Sequence, residues 1–165
     1  MNILVVSDTH GNYLAPLCCF DEADAIDMII HLGDEIDDAK MLEKLVRIPV
    51  LMVPGNCDNS AKEPRELCRK IEGHTFFMTH GDRYRVKRGV DEIVKKAQRI
   101  AATVVLYGHT HTAAILEKDG ILLVNPGTLM SASQSKSFAI LTISGNAVTA
   151  EIRAAGAPQQ PQPQL

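Results

Sequence analysis

"ILVVSDTHGN", residues 3–12, decides how the rest of the chain is read. Four apolar residues in a row, three of them β-branched, suit a short strand buried on both faces. The run stops abruptly in Ser7-Asp8-Thr9-His10-Gly11-Asn12, a loop of polar and turn-forming residues. The same order, apolar run then polar loop, recurs along the chain. "MIIHL" (28–32) leads into Gly33-Asp34, and "VLMV" (50–53) into Pro54-Gly55-Asn56-Cys57-Asp58. Helical stretches fit between these runs. Residues 13–23 carry Pro16 in the first turn, where its missing N–H costs little. A helix over 39–46, capped by Asp37 or Asp38, puts Met41, Leu42, Leu45 and Val46 on one face. The first third therefore reads βαβαβ, a parallel sheet with right-handed crossovers.

Further on, "TFFMT" (75–79) reads as a strand ending in His80-Gly81-Asp82, and "TVVLY" (103–107) as one ending in Gly108-His109-Thr110-His111. Between them Val90, Ile93, Val94, Ala97, Ile100 and Ala101 follow helical spacing, so a helix is expected over 90–102. Asp119-Gly120 and Ser144-Gly145-Asn146 sit between apolar runs as hairpin turns. The second half is thus expected to be hairpin-rich and mostly antiparallel. The end, "AAGAPQQPQPQL", has no periodicity and reads as a disordered Pro/Gln-rich tail over 154–165, leaving 1–153 as a single α/β domain.

Composition narrows the function. The chain has 165 residues, 45% of them hydrophobic and 22% charged, enough for one domain with a real core. A net charge of −3 gives no general attraction to nucleic acid or anionic membrane, and 4% aromatics with no Trp offers few stacking platforms. No stable nucleic-acid or membrane partner is expected. "MNILVVSDTH" has neither a charged leader nor an apolar run of membrane length, which points to the cytoplasm. The four cysteines form no C-x-x-C pair, and Cys18, Cys19 and Cys68 read as reduced thiols in or near the core. The hairpins after residue 112 leave room for a homo-oligomer interface without demanding one.

Chemistry gathers at the strand ends. In open α/β sheets the loops at the carboxyl ends of strands meet at one edge. Five such ends bring Asp8, Asp34, Asn56, His10, His80, His109 and His111 together, and these are four of the six histidines in the chain. On an extended strand end, His109 and His111 at i and i+2 would point the same way. Nitrogen and oxygen donors without thiolates suit Mn²⁺, Fe, Zn²⁺, Ni²⁺ or Co²⁺ at five- or six-coordinate sites. Seven ligands are too many for one such ion and suit two that share a carboxylate. Charge points to the substrate: two divalent ions against two aspartates and a hydroxide leave one positive charge, which matches a phosphodiester monoanion.

These blocks, Asp8–His10, Gly33–Asp34, Gly55–Asp58, His80 and Gly108–His111, resemble the D-x-H, G-D, G-N-H-D/E, H and G-H-x-H pattern of calcineurin-like metallophosphoesterases. The short length, G-N-C-D and "NPGT" (125–128) are similar to the small bacterial and archaeal phosphodiesterase branch, to which the retromer small subunit is also related. The resemblance implies two packed mixed β-sheets flanked by helices, an αββα sandwich. It implies that Asp8, His10 and His111 hold one metal, that Asn56, His80 and His109 hold a second, and that Asp34 bridges. Manganese is the first expectation for both. A metal-bridging hydroxide would then attack a small phosphodiester substrate in line, with Asn56, Cys57 and His109 as catalytic residues and Asn12, Asn56 and Cys57 contacting substrate. Other functions on this scaffold are a phosphomonoesterase or nucleotide phosphatase, and a non-catalytic metal-binding scaffold for protein partners.

Two positions depart from the family pattern. Cys57 replaces the histidine of G-N-H-D/E, and a thiol is a poor substitute for an imidazole as general acid. Diesters with acidic leaving groups should therefore be favoured. Asp82 stands where close relatives often carry histidine. Among the remaining polar residues, His31 reads as a core histidine bonded to a backbone carbonyl and His74 as a surface residue. Asp58 either orients a ligand or caps its turn, Asn125 and Thr128 build the turn after a strand, and "RYRVKR" (83–88) reads as a solvated loop.

Overall fold

The computed structural model describes residues 1–156. Strand β1 (Asn2–Val6) is followed by α1 (Leu14–Glu22), β2 (Met28–His31), α2 (Ile36–Leu45) and β3 (Val50–Met52). Then come β4 (Glu66–Ile71), β5 (His74–Thr79), a 3₁₀ turn (Asp82–Tyr84), α3 (Asp91–Arg99) and β6 (Val104–Leu106). Two hairpins close the chain, β7 (Ala114–Lys118) with β8 (Ile121–Asn125), and β9 (Ser137–Ser144) with β10 (Ala147–Ala154).

The strands form two mixed five-stranded sheets, ordered β10-β9-β1-β2-β3 and β4-β5-β6-β8-β7. Why the strands are apolar on both faces is plain from the packing. Ile3, Val5, Ile30 and Leu32 meet Phe76, Met78, Val104 and Leu106 between the sheets. The alternate residues Leu4, Val6 and Ile29 face outward onto Cys19 of α1 and Leu42 of α2. On the second sheet Phe77, Val105 and Leu123 pack on Ile93, Val94 and Ala97 of α3. The result is the expected αββα sandwich, with the parallel β1-β2-β3 order of the first third. Among the described residues no helix is long and apolar enough to cross a membrane.

Several expectations change. One strand in the otherwise antiparallel, hairpin-rich second half departs from expectation: β6 pairs in parallel with both β5 and β8, while β4–β5, β7–β8, β9–β10 and β1–β9 are antiparallel. Strand β4 has no sequence signature: Cys68, Arg69 and Lys70 are all exposed on this sheet edge, so the alternation is broken. Helix α2 starts at Ile36, three residues early, because its cap comes from elsewhere: Ile36 N–H donates to Asp58 Oδ1 (2.9 Å). Asp38 lies inside the helix and accepts from Gly11 N–H (2.9 Å). Only Cys19 of the three supposed core thiols is buried, since Cys18 and Cys68 point outward from α1 and β4. Strand β10 runs through Ala154, and the rest of the tail read as disordered, 157–165, lies outside the described residues.

Candidate metal centre

Loops from both sheets deliver the polar residues to one edge of the sandwich. Asp8 and His10 follow β1, Asp34 follows β2, Asn56 and Cys57 follow β3, His80 follows β5, and His109 and His111 follow β6. Five of these residues have a left-handed backbone: Asp8 (φ 53°), His10 (47°), Asp34 (50°), His109 (69°) and His111 (59°). They are half of the ten non-glycine residues in that region among the described residues. Such conformations cost on the order of 1–2 kcal/mol each and persist where the surroundings enforce them, as they do at functional sites.

Glycines make the enforcement sterically feasible. A Cβ at Gly55 would sit 2.1 Å from Asp34 Oδ1, and one at Gly108 would sit 2.1 Å from Ser7 Oγ and 2.7 Å from Asp8 Oδ2. At Gly33 (φ 95°) a Cβ would lie 2.4 Å from the Gly55 nitrogen. The loops after β2 and β3 therefore touch backbone to backbone, and the loop after β6 lies directly against the Ser7 and Asp8 side chains, approaches that only glycine allows.

Two groups of donors result. Ligand atoms of Asp8, His10, Asp34 and His111 lie within 4.8 Å of one another, and so do those of Asp34, His80 and His109. Asp34 belongs to both. Asn56 joins the second group, its Oδ1 lying 3.1 Å from His80 Nε2, which is also 3.1 Å from His109 Nδ1. His10 Nε2 and His111 Nε2 converge to 3.5 Å in the first group. His109 and His111 thus serve different groups. Both residues have turned into the left-handed region, so they do not share one direction as i and i+2 residues of an extended strand would.

The donor set fits a divalent cation. Asp8 is wholly buried, and its Oδ1 makes no hydrogen bond although His111 Nε2 is 3.1 Å away. An orphaned buried carboxylate oxygen is costly unless a cation answers it. The other oxygen, Oδ2, accepts from Ser7 Oγ (2.5 Å) and His109 N–H (3.1 Å). His80 Nδ1 donates to Leu32 O (2.7 Å), which turns the lone pair of Nε2 toward the site. Burial alone would raise the Asp34 carboxyl, but the hydrogen bond and charge of His80 with the Cys57 N–H (2.9 Å) outweigh it and hold it below the usual carboxylate range. Burial works against the His80 cation, yet Asp34, Asp8 and the Leu32 carbonyl raise its pKa. Burial, then the charges of His80 and Lys87, push His109 down and keep it a neutral donor.

Around the donors stands a shell of supports that sequence reading only half found. Asp58 accepts from the N–H groups of Asp34 (3.0 Å), Ile36 (2.9 Å) and Gly55 (2.7 Å), so it both orients a ligand loop and caps a helix. Asn125 donates to Gly108 O (2.9 Å) and Thr110 Oγ1 (3.0 Å), and Thr128 Oγ1 donates to Asp8 O (2.8 Å). The "NPGT" turn therefore ties down both the Asp8 and the His109 loops. Arg65 donates to Gly55 O (2.8 Å), and no sequence signal marked it; Ser7 was legible only as the neighbour of Asp8. His31 is neutral and buried, but its Nδ1 accepts from Gly33 N–H (3.2 Å) instead of donating to a carbonyl, and its Nε2 faces Thr9 Oγ1 (3.2 Å). Asn12 Nδ2 donates to Leu129 O (2.7 Å), tying its loop to the chain beyond "NPGT". Asn56 and Cys57 are exposed at the mouth of the site.

An αββα sandwich with two histidine–aspartate groups sharing a carboxylate at its loop edge is the arrangement of a metallophosphoesterase. The chain belongs to the calcineurin-like phosphoesterase superfamily, whose domain matches residues 1–146. It is 32% identical over 155 residues to the probable metallophosphoesterase YsnB of Bacillus subtilis (strain 168), covering 90% of this chain and 88% of that one. It is 27% identical over 146 residues to phosphodiesterase MJ0936 of Methanocaldococcus jannaschii, covering 77% of this chain and 83% of that one. Among solved structures, a predicted phosphoesterase from Streptococcus pneumoniae TIGR4 superposes with a TM-score of 0.78 at 24% identity, covering 93% and 88% of the two chains. Vps29 from Entamoeba histolytica, solved in complex with zinc, superposes with a TM-score of 0.68 at 20% identity, covering 93% and 99%. The protein is a metallophosphoesterase.

Proposed function

We propose that the chain is a phosphodiesterase that works with two divalent cations, manganese first among Mn²⁺, Fe, Zn²⁺, Ni²⁺ and Co²⁺. The observation that carries this reading is that Asp34 belongs to both donor groups. Asp8, His10 and His111 would hold one ion, Asn56, His80 and His109 the other, and Asp34 would be shared. When bound, such ions stabilise charge on phosphoryl oxygens and acidify a water between them. Hydrolysis forms a bond from water oxygen to phosphorus, breaks the bond to the ester oxygen, and leaves the proton on the departing oxygen. Two aspartates against two cations and a hydroxide leave a site suited to a monoanionic diester. The name of the Methanocaldococcus relative is consistent with this choice.

Asn56 and Cys57 stand at the mouth of the site, where a phosphoryl oxygen would lie, with Asn12 on the neighbouring loop. Desolvation, then the charge of Asp34, push the Cys57 thiol up to about 11. It is protonated near neutrality but a weak proton donor, so the chemistry favours leaving groups that need little protonation, such as aryl oxides. Four free thiols are consistent with a reducing compartment, so the cytoplasm is the location we propose. The test is chelator-stripped protein reloaded with each metal and assayed on an aryl phosphodiester, an aryl phosphomonoester and a cyclic nucleotide. The expected result is two Mn²⁺ per chain, diester turnover above monoester, and loss of both in Asp34→Asn. A single metal per chain, or faster monoester turnover, would overturn the proposal.

A further inference from the structure

A large cavity opens beside the candidate metal centre. Its volume is ≈ 920 Å³, and His111 forms part of its wall. That volume suits a ligand of nucleotide size. His111 therefore has two surroundings, Asp8 and His10 on one side and this cavity on the other. A group attached to phosphorus at the donors and extending past His111 enters the cavity.

The lining indicates what that group is. Ala113, Ile152 and Ala155 supply an apolar surface, Gln134 a polar side, and Lys136 is the one Lys or Arg in the lining. No Asp or Glu lines the cavity, and among the described residues no carboxylate pairs with Lys136. Lys136 Nζ donates to Ser133 O (3.2 Å), a bond that leaves two of its N–H groups available. Its backbone is anchored as well, since Lys136 O accepts from Ala155 N–H (2.9 Å). An ammonium held at a fixed place in a partly apolar cavity, without a counter-ion from the protein, is a recognition element for an anion.

Resting on the phosphodiesterase reading, we infer that this cavity holds the organic group of the diester and that Lys136 binds an anionic substituent, carboxylate or phosphate, carried on that group. Lys136 is then a specificity-determining residue and takes no part in bond breaking. The preferred substrates are diesters with a second negative charge several bonds from phosphorus.

Three aryl diesters that differ only in a ring substituent, methyl, carboxylate or phosphate, test this on Mn²⁺-loaded protein. Lys136→Met is expected to raise KM roughly tenfold for whichever charged substituent the cavity takes, leaving kcat and the methyl diester unchanged, while Lys136→Arg restores KM. Which anion shows the larger effect distinguishes a carboxylate from a phosphate ligand. A second readout needs no turnover: calorimetric binding of the matching non-hydrolysable aryl phosphonates should show the same charge-dependent loss in Lys136→Met. Ile152→Trp, which fills the cavity, should weaken binding of all three phosphonates. Equal effects of Lys136→Met on the methyl and charged ligands, or no effect on either, would overturn the inference. If no diester is hydrolysed, the phosphodiesterase reading falls, and the phosphonate binding still decides the role of Lys136.

Discussion

Asp58→Ala should damage the protein well beyond the loss of one turn residue. The carboxylate is buried and accepts three backbone N–H groups from three places: Asp34, which belongs to both donor groups, the first residue of α2, and Gly55. Hydrogen bonds to a charged acceptor contribute about 1.5–3 kcal/mol each, and water entering the vacated space recovers part of that, so a net loss of roughly 3–6 kcal/mol is expected. For a chain of this size, 165 residues, the corresponding fall in Tm is roughly 10–20 °C. Asp58→Asn keeps one acceptor oxygen and should lose less. Because Asp34 N–H loses its partner, Mn²⁺ affinity should also fall, by about 10–100-fold, as it does when residues that orient a ligand are removed. Thermal unfolding in chelator gives the first number and calorimetric Mn²⁺ titration the second. A Tm within about 2 °C of the unmutated protein together with unchanged Mn²⁺ affinity would show that Asp58 only caps its turn, and the account of the three loops as one unit would be wrong.

Gly108→Ala tests the close approach of the loops: its Cβ would fall 2.1 Å from Ser7 Oγ, so stability should drop by about 1–3 kcal/mol and metal content with it, read by calorimetry and elemental analysis. His31 should make the metal-free protein acid-sensitive. Burial first, then the charge of His80, lower its pKa from 6.5 to about 3, so between those values the unfolded chain binds a proton that the folded chain refuses. Stability therefore falls as pH drops through that window, by a total on the order of 5 kcal/mol, and His31→Gln should flatten the slope in urea unfolding measured from pH 7 to pH 4. Cys57→His should raise turnover of alkyl diesters by about 10²-fold or more with little change for aryl diesters; a fall in alkyl-diester turnover would count against a missing general acid.

The apolar runs and the loops that end them were enough to read the first sheet. Buried parallel strands are short, β-branched and flanked by helices, and that pattern is local. The donor residues were legible for a similar reason: four histidines and two aspartates at five strand ends are too many for turn chemistry alone. What local pattern could not give was anything set by partners distant in the chain. Strand β4 is exposed at a sheet edge and shows no alternation. The start of α2 depends on a cap 22 residues away at Asp58. The parallel pairing of β6 with β8 depends on a crossover that hairpin signals conceal.

The sequence by itself determined which side chains can coordinate and which strand ends carry them, because ligand chemistry and hydrophobic period are properties of neighbouring residues. The family resemblance implied that His109 and His111 divide between two donor groups, but only the tertiary structure decided how the backbone turns them there. Their direction is set by left-handed turns that Asp8, Asn125 and Gly108 hold in place, contacts that span 15 to 101 residues of chain.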